Sequence, residues 1–137
     1  MAELIVGIVG IAVTAAQLAP VLYDVCERFT SSTRELKPIA RNIEVLSTLL
    51  RALADVLNKD DAMYPLPIRE CAQGISDDCG DTCNELKDLI SRMERRRSAR
   101  VLKSGKLSRL QTRLESQKST LSVTITLANL TTVVLDR

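Results

Sequence analysis

Four cysteines, a run of arginines and no histidine are the features with chemical consequences in this 137-residue chain. Cys79 and Cys83 lie four apart, so on a helix they share a face, with Cys71 two turns earlier and Cys26 far away. The pair could begin a zinc site, but such a site needs two more ligands. Only Cys26 and Cys71 remain, and the tight knuckle spacing of structural zinc sites is absent. We therefore read the thiols as packing groups, mostly buried, and expect no metal. A disulfide between Cys26 and one of the later thiols stays open as an oxidised alternative. The opening Met1-Ala2-Glu3 lacks the positive charge that starts a secretory signal, so the thiols are expected to be reduced in a cytoplasmic protein.

Without histidine the chain lacks the commonest general base and the commonest metal ligand. Gly7 and Gly10 lack the third glycine, preceding strand and following lysine of a phosphate loop. The acidic pairs Asp60-Asp61 and Asp77-Asp78 stand among polar residues and read as solvated or helix-end charges. No catalysis and no cofactor are expected.

The arginines are the stronger signal. Between positions 92 and 113 stand Arg92, Arg95, Arg96, Arg97, Arg100, Lys103, Lys106, Arg109 and Arg113, opposed only by Glu94. This local +8, in a chain of net +2, attracts anionic surfaces. We assign Arg92, Arg95, Arg96, Arg97, Arg100, Lys103 and Lys106 to anionic lipid, with a merely solvated loop and helix end as the plain alternative. Nucleic acid ranks well behind, because no aromatics interleave the cations and no helix-turn-helix pattern surrounds them.

The elements that must carry these groups are helical. Aromatic residues make up 2% of the chain and hydrophobic residues 45%, so a core must come from Leu, Ile, Val and Ala. Ile39, Ile43, Leu46, Leu50, Leu53 and Leu57 step by four and three along one helix face. That helix is expected to start between 33 and 38, with Ser32 and Glu35 at capping-box spacing, and to end at Asn58-Lys59-Asp60-Asp61. A third helix starts near Pro67 and carries Ile68, Ala72, Ile75, Cys79, Cys83, Leu86, Ile90 and Met93. Gly80 weakens it without breaking it. Residues 94–105 read as a basic connector with Ser104-Gly105 as its turn. A fourth helix carries Leu107, Leu110, Leu114, Gln117, Leu121, Thr124, Ala128, Thr131 and Leu135. Its second half adds Val123, Ile125, Leu127, Leu130, Val133 and Val134 on other faces.

The first helix is the most unusual. Twenty residues between Glu3 and Asp24 carry no charge, about enough to span a bilayer. Glu3, Gly7, Gly10, Thr14, Gln17 and Asp24 trace one narrow stripe, with Val21 its only apolar member, and the other faces are apolar. Pro20 is expected to kink the helix or end its first section. The plain alternative makes it the buried central helix of an ordinary bundle. Four helices with moderate loops give an all-α four-helix bundle, one domain over 1–137. No Gly or Pro stops the last helix, so we expect a longer signalling protein to continue beyond it.

The Met-Ala-Glu opening with its Gly/Ile/Val/Ala run, the pattern Ile43-Glu44-Val45-Leu46-Ser47-Thr48-Leu49-Leu50, and Leu114-Glu115-Ser116-Gln117-Lys118-Ser119-Thr120-Leu121 together resemble a known group. The chain looks like the N-terminal domain of fungal NLR-like (STAND) proteins, in the HeLo-like group of cell-death domains. The resemblance covers nearly the whole chain. It implies oligomerisation, membrane targeting or permeabilisation in regulated cell death, and movement from cytoplasm to membrane on activation. The implied partners are other copies of the chain, anionic membrane lipids, and a C-terminal receptor or nucleotide-binding module of the same chain. In such domains the first helix is the membrane-active element. Carried onto this sequence, that means Leu4, Ile5, Val6, Ile8, Val9, Ile11 and Val13 with Glu3 near the tip, and Gly7, Gly10, Thr14 and Gln17 as a helix-packing stripe. The alternative is a homotypic or adaptor interaction domain without membrane activity, using the apolar second half of the fourth helix.

Overall fold

The computed structural model describes residues 2–29, 33–59, 64–96 and 104–135. Four α-helices make up almost all of this: α1 Ala2–Arg28, α2 Thr33–Asn58, α3 Leu66–Arg96 and α4 Ser104–Leu135. The expected four-helix bundle is the observed one. Three boundaries differ from the sequence reading. α1 passes through Pro20 as one helix. Pro20 is exposed, so the Ala16 carbonyl that its missing N–H leaves unpaired lies on the water side, where solvent can satisfy it. α3 runs on to Arg96, and Ser104 and Gly105 open α4 rather than forming a turn, so the basic connector is shorter than expected. The proposed Ser32 cap and the Asp60-Asp61 stop lie outside the described residues.

The apolar ladders form the core. Every member of the α2 ladder is buried, and so is every member of the α3 ladder except Ile68, which is half-buried. On α4, Leu107, Leu110, Leu114, Gln117, Leu121, Thr124 and Ala128 face inward. α1 contributes Ile8, Ala12, Ala15, Ala19, Leu22 and Cys26 at steps of four and three, with Leu18 and Val25 beside them.

The arrangement of the helices is not that of a simple up-down ring. α1 packs most extensively on α2, α4 packs on α2 and on α3, and α3 packs on α1. α1 and α4 are diagonal to each other, as are α2 and α3. The chain thus forms two antiparallel hairpins, α1–α2 and α3–α4, placed so that α1 runs parallel to α3 and α2 parallel to α4. Cross-links fix the register: Arg28 on α1 meets Glu94 on α3, Asn42 on α2 meets Glu115 on α4, and Arg113 on α4 meets Asp78 and Glu85 on α3. The connection from α2 to α3 must cross the diagonal, and Tyr64 sits at that crossing, 1% exposed.

The tight α1–α2 contact follows from small residues. Ala12, Ala15 and Ala19 on α1 and Ala40, Ser47 and Ala54 on α2 are all buried. Ser47 Oγ donates to the Ala12 carbonyl oxygen at 2.8 Å, which demands that the two backbones lie close. Gly80 plays a related part on α3. A Cβ there would stand 3.4 Å from Ile11 Cδ1, so the glycine lets the Ile11 side chain lie against the α3 backbone.

Candidate functional site

Two regions hold the groups singled out by the sequence, and they lie at opposite ends of the bundle. The parallel pairing of α1 with α3 places the tip of α1 at one end, with the C-termini of α2 and α4. The C-termini of α1 and α3 and the N-terminus of α4 form the other end, which is the basic one.

At the first end, α1 is not a buried central helix. Ile8 is fully buried, Leu4, Ile5 and Ile11 are half-buried, and Glu3, Val6, Val9 and Val13 are exposed. The exposed line Val6, Val9, Val13, Ala16 and Pro20 steps by three and four along one face. Beside it runs the Gly7-Gly10-Thr14-Gln17 stripe, which also faces outward. A Cβ added at Gly7 or Gly10 would meet nothing within 4 Å. The Gly7-Gly10 half of the stripe is thus open, while Thr14, half-buried, and Gln17 line a groove with Lys87, Ile90 and Ser91 of α3. Thr14 Oγ1 donates to the Gly10 carbonyl oxygen at 3.0 Å. α1 is also the one described helix long and apolar enough to cross a membrane. On the far diagonal of the same end, α4 exposes Val123, Leu127, Leu130, Val133 and Val134.

At the basic end, Arg92 and Lys106 are half-buried and Arg95 is exposed. The Arg96 side chain and the whole of Arg97, Arg100 and Lys103 lie outside the described residues. α1 is tied to this end by Arg28, which bonds Glu94 at 3.0 Å and Asp24 at 3.1 Å.

Between α3 and α4 is a polar clasp that sequence reasoning missed. Asp78 was expected to be a solvated or helix-end charge, yet it lies inside α3 and is bound on both oxygens. Arg113 Nη2 donates to Oδ1 at 2.9 Å and Gln117 Nε2 to Oδ2 at 2.8 Å. Arg113 Nη1 reaches Glu85 at 3.0 Å, and Gln117 Nε2 also lies 2.8 Å from Thr82 Oγ1. The signal was present: Gln117 stands in the middle of an apolar ladder, and a buried amide must find partners. Burial alone would raise the Asp78 pKa, but the hydrogen bonds from Gln117 and Arg113 and the Arg113 charge outweigh it and hold the carboxyl below its usual range. A carboxylate with a lowered folded pKa stabilises the fold above its unfolded pKa, and that contribution is lost as pH falls through the folded pKa. The Asp78→Asn variant is thus expected to be less stable than the parent near pH 7, by about 1 kcal/mol or less because the pair is partly solvated. The gap should close as pH falls through the lowered pKa of the folded carboxyl, where the parent is protonated too. Urea unfolding across pH checks this, and a gap independent of pH would contradict it.

The cysteines do not cluster into a site. Cys26, Cys79 and Cys83 are buried, Cys71 is exposed, and no disulfide joins any of the four in the described residues. Cys26 lies near the level of Glu94, eleven residues beyond Cys83, roughly 16 Å along the α3 axis. That separation excludes the Cys26–Cys83 disulfide, and Cys79 is farther still. Burial, with the Cys83 and Asp78 charges adding to it, pushes the Cys79 thiol up to about 12. Burial also raises Cys83 and Cys26. Thiols held in this form pack like small apolar groups and are poor nucleophiles.

Fold and surface together define an all-α four-helix domain whose exposed features are apolar helix faces at one end and cations at the other. Residues 2–137 match the family described as pigment biosynthesis cluster protein PigL N-terminal, and the chain belongs to that N-terminal domain family. The name places the namesake in a pigment biosynthesis cluster and states no activity. No curated protein and no solved structure matches the chain.

Proposed function

We propose that this domain targets and perturbs membranes as the N-terminal signalling module of a fungal NLR-like protein of the HeLo-like cell-death group. The observation that carries the reading is the outward face of α1. A helix of bilayer-spanning length keeps Val6, Val9 and Val13 in water while its other side completes the core. Exposed valines in line cost solubility without helping the fold, which is what a surface awaiting lipid or a partner looks like.

The two-ended layout gives the mechanism its geometry. The cations draw the basic end onto anionic lipid, worth up to about 1 kcal/mol per well-placed Lys or Arg. The α1–α2 connection lies at that same end, so a released α1 pivots there and swings its apolar tip toward the membrane already held. Release breaks the Arg28–Glu94 contact and strips Ile8, Ala12 and Ala15 from α2, so it requires a trigger from an attached receptor or nucleotide-binding module, or from other copies of the chain. On the membrane, the Gly7-Gly10-Thr14-Gln17 stripe gives neighbouring α1 helices a close-packing face.

Dye release from anionic and neutral vesicles tests this. Because Ile8 is core, substitutions there would unfold the domain and say nothing about insertion. The triple variant Val6→Glu, Val9→Glu, Val13→Glu touches only exposed positions. It is expected to keep the parent's unfolding midpoint within a few degrees and to abolish release from anionic vesicles. Unchanged release in the folded variant would rule out α1 as the inserting element.

A second reading is favoured by the exposed apolar half of α4, namely an adaptor domain that binds protein without lipid. Oligomers formed without membrane and lost in Leu127→Glu, Leu130→Glu would favour it.

A further inference from the structure

Lys106 and Arg109 occupy the first two turns of α4, where the positive end of the helix dipole favours acids, yet α4 has no acidic residue in its first turn. Neither cation has a carboxylate partner among the described residues, whereas Arg28, Arg113 and Lys118 all do. Folding does not call for unpaired cations at this position. Lys106, Arg109 and Arg113 are spaced by three and four, so they share a side of α4, and Glu85 faces them from α3. Together with Leu110 they line a groove of about 460 Å³, within the size range of small-ligand sites. The one acid in it is already engaged, since Glu85 holds Arg113 at 3.0 Å while Arg113 also grips Asp78 at 2.9 Å. Arg92 stands two turns beyond Glu85 on the same side of α3 and is half-buried. Leu110, 3% exposed, gives the groove an apolar floor that strengthens charge interactions above it.

We propose that this α3/α4 groove binds a small ligand bearing two or more phosphates, with Lys106 and Arg109 contacting the phosphates and Arg113 held in place at the groove's inner edge. An anion here meets the two cations together, alongside the first turns of α4. Lysine supplies a point charge and arginine a two-pronged donor, and one helical turn separates them, the spacing of neighbouring phosphates on a small scaffold. The chemistry is shared by the headgroup of a phosphorylated inositol lipid and by a soluble polyphosphate. The inference deepens the recruitment step of the membrane reading and is independent of insertion by α1.

The test uses the 137-residue chain, with inositol trisphosphate as the soluble probe. Vesicles containing phosphatidylinositol bisphosphate are compared with phosphatidylserine vesicles of equal charge. Saturable binding of inositol trisphosphate is expected, with amide shifts concentrated at residues 106–113. The Lys106→Gln, Arg109→Gln double variant is expected to weaken it by about tenfold or more, as loss of two charge-assisted contacts should. Removing equal charge from α2 with Arg41→Gln, Arg51→Gln should change it by less than about twofold, the response of a diffuse field. Both doubles alter unpaired surface cations and should keep the parent's unfolding midpoint.

If the free headgroup binds and the bisphosphate vesicles outcompete the serine vesicles, the lipid is the source. If the free headgroup binds and the two vesicles are equal, the source is soluble. Equal weakening by the two doubles, or no saturable binding of the probe, overturns the groove. Dye release reads the other proposal separately. Leakage that survives in the Lys106/Arg109 variant leaves insertion standing without the groove, and headgroup binding without leakage does the reverse.

Discussion

Replacing Tyr64 with alanine is expected to lower the stability of the domain by about 3–5 kcal/mol, the range for emptying a buried aromatic site. The side chain is among the largest fully buried ones and lies where the chain crosses the bundle diagonal. Its hydroxyl donates to the Val56 carbonyl oxygen at 2.9 Å, at the end of α2, and lies 2.9 Å from Thr132 Oγ1 on α4. Its own carbonyl oxygen accepts from Arg69 Nε at 3.0 Å on α3. One residue thus joins three helices at the point that sets how the two hairpins meet. Tyr64→Phe keeps the packing and removes only the hydroxyl, and should cost about 1 kcal/mol. Urea unfolding followed by circular dichroism separates the two variants. An alanine variant within about 1 kcal/mol of the parent would mean that the crossing does not depend on this side chain.

The second large effect is expected at Ser47. Leucine there loses the hydrogen bond to Ala12, about 1 kcal/mol, and forces extra carbons between two backbones already in close contact, about 1–3 kcal/mol more. Ser47→Ala should show the first part alone. The leucine variant has a further consequence for function. Prising α1 from α2 loosens the helix proposed to insert, so dye release from anionic vesicles should begin at lower protein concentration as unfolding stability falls. Loss of stability with no change in release would separate the α1–α2 contact from any restraining role.

These predictions rest on residues of differing legibility. The ladder from Ile39 to Leu57 was plain because a strict three-four step of aliphatics permits only one buried face. The ladder on α4 was equally plain, its polar members Gln117 and Thr124 included. Tyr64 was not legible. It stands in a loop just before Pro65, and nothing local says that a loop residue will be covered by three helices. Asp78 was misread for a related reason. Its neighbours in sequence are polar, and its partners Arg113 and Gln117 lie 35 and 39 positions away. The helix end at Pro20, one of the two outcomes expected there, and the turn at Ser104-Gly105 rested on residue preferences that are weak where packing or solvent supplies what the backbone lacks.

The sequence by itself determined that the chain is all-helical, that four helices share an aliphatic core, and that α1 is uncharged for the length of a bilayer crossing. Periodicity and charge are local properties, and each helix carries its own. Only the tertiary structure decided that the two hairpins lie with α1 beside α3, that the cations and the α1 tip occupy opposite ends, and which side of α1 remains in water. Any of several pairings would bury the same ladders. The choice among them rests on contacts between distant residues, such as Ser47 with Ala12, Tyr64 with Thr132 and Arg113 with Asp78, whose energies exist only once the helices have met.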